Sequence, residues 1–285
     1  MLITRGRWNA SRAFASYLDD HPELYQGGSV LELGAGGALP GIVAAKNGAR
    51  TVVLTDYPDA ALIDNILHNV RANIPEGDRG GVHVEGYIWG HPVEPLLRFL
   101  PDDVEEKAFD LIILSDLIFN HSQHDAMLKS CDVALSQRRG TDGTDASGKK
   151  SPSAPCLLVF YTHHRPHLAH RDMAFFTKAQ ERGWHCEEIL TRKYPPMFPE
   201  DPGEEEVRAT VHVQCAQAEP ALTSSCTKQP HSNTSHLAKY TARKTYQPEL
   251  RDFRDMPLLR QIQPGDVLGV DELRLHGPVL YRRAK

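Results

Sequence analysis

Two glycines, two acids and the spacing between them carry the first chemical signal in this sequence. In "SVLELGAGGALPGIVAAKNGARTVVLTDYPD", Ser29 to Asp59, an apolar run leads straight into Gly34-Ala35-Gly36. Asp56 closes a second apolar run, 20 positions after Gly36. Glycines let a backbone approach a ligand closely and take up positive φ. A helix that starts just behind such a turn aims its free N–H groups at the same spot. A carboxylate at the end of the next strand can accept both hydroxyls of a ribose. The arrangement suits a ribose-bearing ligand, either a dinucleotide or a methyl donor. A glycine turn that holds no ligand is the third reading.

Two details separate these readings. A dinucleotide fingerprint G-x-G-x-x-G would place its third glycine where this chain has Leu39, followed by Pro40. Glu32 stands inside the apolar run, two positions before Gly34, giving the E-x-G-x-G form typical of class I methyltransferases. S-adenosylmethionine carries no phosphate and needs only one close glycine approach with polar neighbours. Both details favour it over NAD or FAD.

These residues must be held at the ends of strands. Short apolar runs alternate with helical patterns, the signature of an α/β fold with a largely parallel sheet. Candidate strands are 30–33, 51–55, 82–85, 111–115, 157–161, 184–190 and 208–214. Runs such as "LIIL" and "LLVF" are apolar on both faces, as central parallel strands require. "RATVHVQ" alternates and reads as a half-exposed edge strand. The pattern predicts a Rossmann-like seven-stranded sheet, mostly parallel with an antiparallel edge strand. A helix is expected between Pro58 and Asn73, with Leu62, Ile66 and Val70 sharing a face with Ile63 and Leu67. The domain is expected to span 1–215. Residues 137–155, "QRRGTDGTDASGKKSPSAP", read as a flexible insertion, and 216–285 as a disordered or irregular extension.

Bulk composition narrows the classes further. A net charge of −5 provides no global basic field for nucleic acid. Five scattered cysteines without a C-x-x-C pair argue against a zinc ribbon or a disulfide framework. No run approaches the ~20 apolar residues of a membrane helix, and "MLITRGRWNASRAF" lacks the apolar centre of a signal peptide. The expectation is a cytoplasmic monomer that engages neither membrane nor nucleic acid.

Several further stretches carry a resemblance. "RWNAS" at 7–11, the glycine turn, "VVLTDYPD", "EGYIWG" at 85–90, "FDLIILSDLIFNHSQH" at 109–124 and "YTHHRPHLAHRDMAFF" at 161–176 occur in that order. Together they resemble the fungal nicotinamide-N-methyltransferase-like group of lysine methyltransferase family 16, over roughly residues 7–213. The resemblance implies an S-adenosylmethionine-dependent protein N-methyltransferase. Its implied substrate is elongation factor 1-alpha, methylated at its N-terminal glycine and the adjacent lysine. It implies Trp8 as a cap over the cofactor, Gly34, Ala35 and Gly36 as the cradle, and Asp56 on the ribose. It also implies Trp89 beside the adenine and Ser115 beneath the cofactor. Alternatives are a nicotinamide-type small amine as substrate, or a degenerate S-adenosylmethionine-binding module. Family members usually carry more chain ahead of the "WNA" motif than the seven residues before Trp8.

The substrate wall is expected in "SDLIFNHSQH", with Asp116 and Asn120 making polar contacts to the target amine. Related lysine methyltransferases have D-x-x-Y in this loop. Here Phe119 takes the tyrosine's place, so no hydroxyl is available, although a ring face could still favour a methylated ammonium. Asp116 could instead cap the following helix. In "YTHHRPHLAH", His163, His164, His167 and His170 lie close in sequence, but adjacent histidines after a strand point different ways. His163 or Arg165 is expected at the substrate entrance and no metal is assigned. "GEEEV" at 203–207 reads as a solvated charge run that could attract a basic protein substrate.

Overall fold

The computed structural model describes residues 8–104, 106–137, 154–197 and 199–218. The expected insertion lies outside the described residues except at its two ends, and the expected extension lies outside them beyond Ala218.

Seven strands form one sheet: β1 (Ser29–Leu33), β2 (Thr51–Asp56), β3 (Val82–Gly86), β4 (Leu111–Ser115), β5 (Cys156–Thr162), β6 (Trp184–Lys193) and β7 (Thr210–Ala218). Their order is β3-β2-β1-β4-β5-β7-β6. The first five pair in parallel, and β7 pairs antiparallel with both β5 and β6. The mostly parallel sheet and the antiparallel pairing at its edge match the sequence expectation. The position of β7 does not. Strand β7 lies inside β6, and β6 is outermost. Alternation reported a half-covered strand, but its outward His212 stacks on Tyr161 at 5.2 Å, so partial cover is compatible with an inner position.

Helices cover both faces, as parallel strands apolar on two sides demand. One face is packed by α1 (Asn9–Asp20), α2 (Leu39–Lys46) and α3 (Ala60–Asn73). Phe14 of α1 stacks on Phe160 of β5 with ring centroids 3.9 Å apart. The other face is packed by α4 (Glu94–Leu97), α5 (His124–Ala134) and α6 (Ala169–Glu181). A short α7 (Glu205–Ala209) precedes β7 and takes in most of the acidic run. The described residues of the proline-rich stretch between β6 and α7 are in neither helix nor strand, and its prolines lack ladder donors.

Strand order reverses at β1, which lies between β2 and β4. Loops leaving the C-terminal ends of β1 and β4 diverge there and open a crevice, where ligands of open α/β sheets bind. Gly34 follows β1, Asp56 and Ser115 end β2 and β4, and Trp89 follows β3.

Candidate functional site

The crevice is built first by the β1–α2 turn. Gly34 and Gly36 have φ of +60° and +54°. A Cβ on Gly34 would stand 2.8 Å from Leu117 and 3.1 Å from Trp89, so any side chain there would fill the cradle. The turn leads into α2 through Ala38 with φ +57°, a strained value for a residue with a Cβ. Pro40 fits in the first turn of α2, where its missing N–H has no helical partner to lose.

The tight approach of helix to strand, which a third fingerprint glycine would supply at position 39, is made by Gly41. A Cβ on Gly41 would meet Leu54 at 2.3 Å and Glu32 at 2.5 Å. The Gly41 N–H donates to Glu32 Oε2 at 2.9 Å, and Glu32 is fully buried with Oε1 lacking a hydrogen-bond partner. Burial pushes the Glu32 carboxyl up to about 8; the Gly41 hydrogen bond opposes this and the nearby Asp56 charge adds to it. At neutral pH Glu32 is therefore largely a neutral acid bracing the turn from below.

Asp56 ends β2 with its carboxylate turned to the turn. Its Oδ2 accepts from Gly36 N at 2.8 Å and its Oδ1 from Tyr57 N at 2.7 Å. Burial raises its pKa, while these two donors pull the other way. A carboxylate has about four lone-pair sites, so two such bonds leave capacity for ribose hydroxyls.

Helix α3 supports the turn from the far side. Asn65 donates to Gly36 O at 2.9 Å and Asn69 to Gly37 O at 3.1 Å, while Asn73 donates to Asn69 O at 2.8 Å. All three are buried alongside Ile66 and Val70, whereas Leu62, Ile63 and Leu67 are only half-buried. The helix face expected from its aliphatic residues is thus shared with an asparagine ladder. Its signal was in the sequence: three asparagines at four-residue spacing, one helical stripe.

Trp89 is fixed on the opposite wall. Gly90, at φ +82°, donates its N–H to Ser130 Oγ at 2.8 Å, and Tyr87 Oη lies 2.9 Å from the same hydroxyl. Lys129 donates to Gly90 O at 2.8 Å. Helix α5 therefore sets the loop that brings Trp89 over Gly34. Ser115 ends β4 with a buried Oγ that has no hydrogen-bond partner. A filled-by-any-Cβ cradle, an orphaned hydroxyl and an acid at the ribose position fit S-adenosylmethionine.

Beyond Ser115 the chain turns sharply. Asp116 has φ +60°, and it and Ala38 are the two non-glycine residues with positive φ among those described. Its side chain is buried, with Oδ2 2.8 Å from His164 Nε2 and Oδ1 accepting from Thr162 N at 3.3 Å. It does not cap a helix, since α5 starts only at His124. Trp8 meets His164 edge-on at 5.2 Å. Asn120 is half-buried in the following loop and accepts from Ser122 Oγ at 3.3 Å. Phe119 is exposed, as are Tyr57 and Ile88. These three follow β4, β2 and β3, giving the C-terminal edge of the sheet an apolar rim.

The histidine run divides as adjacent residues should. His163, expected at the entrance, is buried and bonds Asp172 Oδ2 through Nδ1 at 2.7 Å. His121 takes the other oxygen of Asp172 at 2.6 Å, which ties the Asn120 loop to α6. His164 is half-buried and turns to Asp116 instead. It sits beside Pro196, Met197, Asp201 and Arg208. Arg165, His167 and His170 are exposed.

The family model described as "Lysine methyltransferase" matches residues 3–139. A Cryptococcus neoformans protein named "Protein N-terminal and lysine N-methyltransferase EFM7" is 45% identical over 208 residues, covering 72% of this chain and 68% of that protein. The Schizosaccharomyces pombe protein of the same name is 44% identical, covering 72% of this chain and 74% of its own. Among solved structures, an O-methyltransferase from Bacillus cereus in complex with SAH aligns with 76% of this chain and 84% of its own, at 14% identity and a TM-score of 0.43. That likeness is too distant to bear on the reaction.

Proposed function

As this chain belongs to the lysine methyltransferase family and is an S-adenosylmethionine-dependent methyltransferase, we propose that its substrate is a protein. The amines it methylates are the N-terminal glycine and the adjacent lysine of elongation factor 1-alpha, and it acts in the cytoplasm. The observation that carries this reading is the 45% identity to a protein named for N-terminal and lysine methylation. The apolar rim of Tyr57, Ile88 and Phe119 supports a macromolecular substrate at that edge.

S-adenosylmethionine supplies an electrophilic methyl group on a sulfonium. Gly34, Ala35 and Gly36 would bring backbone within reach of its amino acid head, and Asp56 would accept hydrogen bonds from the ribose hydroxyls. Trp89 would flank the adenine, Ser115 would lie beneath the cofactor, and Trp8 would cap it. Asp116 and Asn120 form the polar wall on the substrate side.

The acceptor must present a nitrogen lone pair. An α-amine with pKa near 8 loses its proton at pH 7 for roughly 1 kcal/mol, whereas a lysine near 10.4 requires roughly 4 to 5. Orientation alone suffices for the first target; the second needs help with its proton.

The test is labelled-methyl transfer with the purified chain, offering elongation factor 1-alpha and nicotinamide side by side. Label on the factor's N-terminal glycine and lysine is the expected result. Label on nicotinamide alone would establish small-amine chemistry, and absence of S-adenosylmethionine binding at millimolar concentration would mean a degenerate module.

A further inference from the structure

Asp172, in the first turn of α6, is a carboxylate only 4% exposed, and a histidine stands on each of its oxygens. We propose that Asp172 is a positioning residue for the protein substrate. Through His121 and His163 it fixes the loop between β4 and α5, and that loop presents Phe119 and Asn120 to the substrate. The inference rests on the protein-substrate reading.

Residues 116–123 lead from β4 to α5 with no regular structure beyond a short 3₁₀ turn at His121–Gln123. Three inward groups hold them. Asp116 Oδ1 accepts from Thr162 N at 3.3 Å, Ile118 O accepts from His124 Nε2 at 2.6 Å, and His121 Nε2 donates to Asp172 Oδ1 at 2.6 Å. Positions 119 and 120 fall between the second and third of these points. There Phe119 is 53% exposed and Asn120 is half-buried. The loop thus turns two side chains outward from a backbone pinned on either side of them. His163, directly after β5, donates through Nδ1 to the other oxygen, Asp172 Oδ2, at 2.7 Å. A carboxylate only accepts, so both of these ring nitrogens carry their protons. One acid therefore joins the β4–α5 loop, the end of β5 and the start of α6.

A buried carboxylate is costly unless it is paired and hydrogen-bonded, and a donor on each oxygen meets that need. The N-terminal end of α6 adds a favourable field. The helices behind the loop are packed by other means. Phe175 of α6 meets His124 of α5 edge-on at 5.4 Å, and Met127, Leu128 and Phe176 belong to the same core cluster. Removing the Asp172 carboxylate leaves that packing in place and frees the loop at His121. A substrate must then order Phe119 and Asn120 as it binds, which weakens binding more than it slows transfer.

The experiment uses the full chain, steady-state methylation of elongation factor 1-alpha, calorimetry with S-adenosylmethionine, and hydrogen exchange read by mass spectrometry. In Asp172→Ala and His121→Ala, KM for the factor is expected to rise about tenfold, the size of one lost hydrogen bond to a charged group. In both, kcat and S-adenosylmethionine affinity should stay within about twofold of wild type. The double variant should be no worse than Asp172→Ala alone, because the two residues act as a unit. His121→Gln keeps a side-chain N–H donor for Asp172 and should recover most of the lost affinity. Amides of 117–123 should exchange about tenfold faster in both alanine variants, while β4 and β5 stay protected. Additive losses, a fall in kcat with KM unchanged, no gain of His121→Gln over His121→Ala, or unaltered exchange in 117–123 would overturn the role of Asp172. If the wild-type chain did not methylate the factor, the substrate reading would fail, and the exchange comparison would still decide whether Asp172 holds the loop.

Discussion

Glu32→Gln separates the charge of the buried acid from its shape. Glu32 lies wholly inside the sheet, hydrogen-bonded through Oε2 to Gly41 N, with Oε1 unpartnered. Burial lifts its pKa from 4.5 to about 8. Between those values the folded chain keeps a proton that the unfolded chain has released. Stability from this group is therefore complete below pH 4.5 and is lost as pH rises through about 8. Each pH unit in the window is worth ~1.4 kcal/mol, so moving from about pH 5 to about pH 8.5 removes roughly 4 kcal/mol. Glutamine has nearly the same shape, can still accept from Gly41 N, and never ionises. Urea unfolding of both proteins across that range, compared as a difference, cancels every other titrating group. The wild type should lose roughly 4 kcal/mol relative to Glu32→Gln on the way to high pH. A difference constant to within about 0.5 kcal/mol would mean that Glu32 is ionised in the fold, and that the turn is braced by a charge.

Other consequences follow from the same geometry. Asp56→Ala removes the acceptor at the ribose position and the Gly36 bond together, so S-adenosylmethionine affinity should drop by ~30-fold or more by calorimetry, as for loss of charge-assisted hydrogen bonds. Gly41→Ala forces a Cβ against Leu54 and Glu32; denaturant titration should show a loss of about 1–3 kcal/mol typical of overpacking, with weakened cofactor binding because the α2 start shifts.

Much of this site could be read before the fold was seen. The glycine turn, Asp56 and the strand ends carry their meaning locally, since a turn conformation and a 20-residue strand–helix–strand unit are short-range features. Gly41 was missed because the fingerprint fixes a position, while packing requires only that some residue of α2 lack a Cβ opposite Leu54. The asparagine ladder was hidden by the aliphatic stripe it accompanies, which dominates any hydrophobic pattern. His163 and His164 differ only in which side of the chain they leave, and that depends on where α6 places Asp172 and β4 places Asp116. The position of β7 is likewise non-local: alternation measures cover on one strand's faces and is silent about which strand lies beyond it.

The central claim is that this chain methylates a protein at a defined pair of amines. Its most direct test adds purified chain and labelled S-adenosylmethionine to a fungal proteome lacking the native activity, then maps the labelled residues. The account predicts label concentrated on the N-terminal glycine and adjacent lysine of elongation factor 1-alpha. Label confined to small molecules, or to other proteins with that factor untouched, would contradict it.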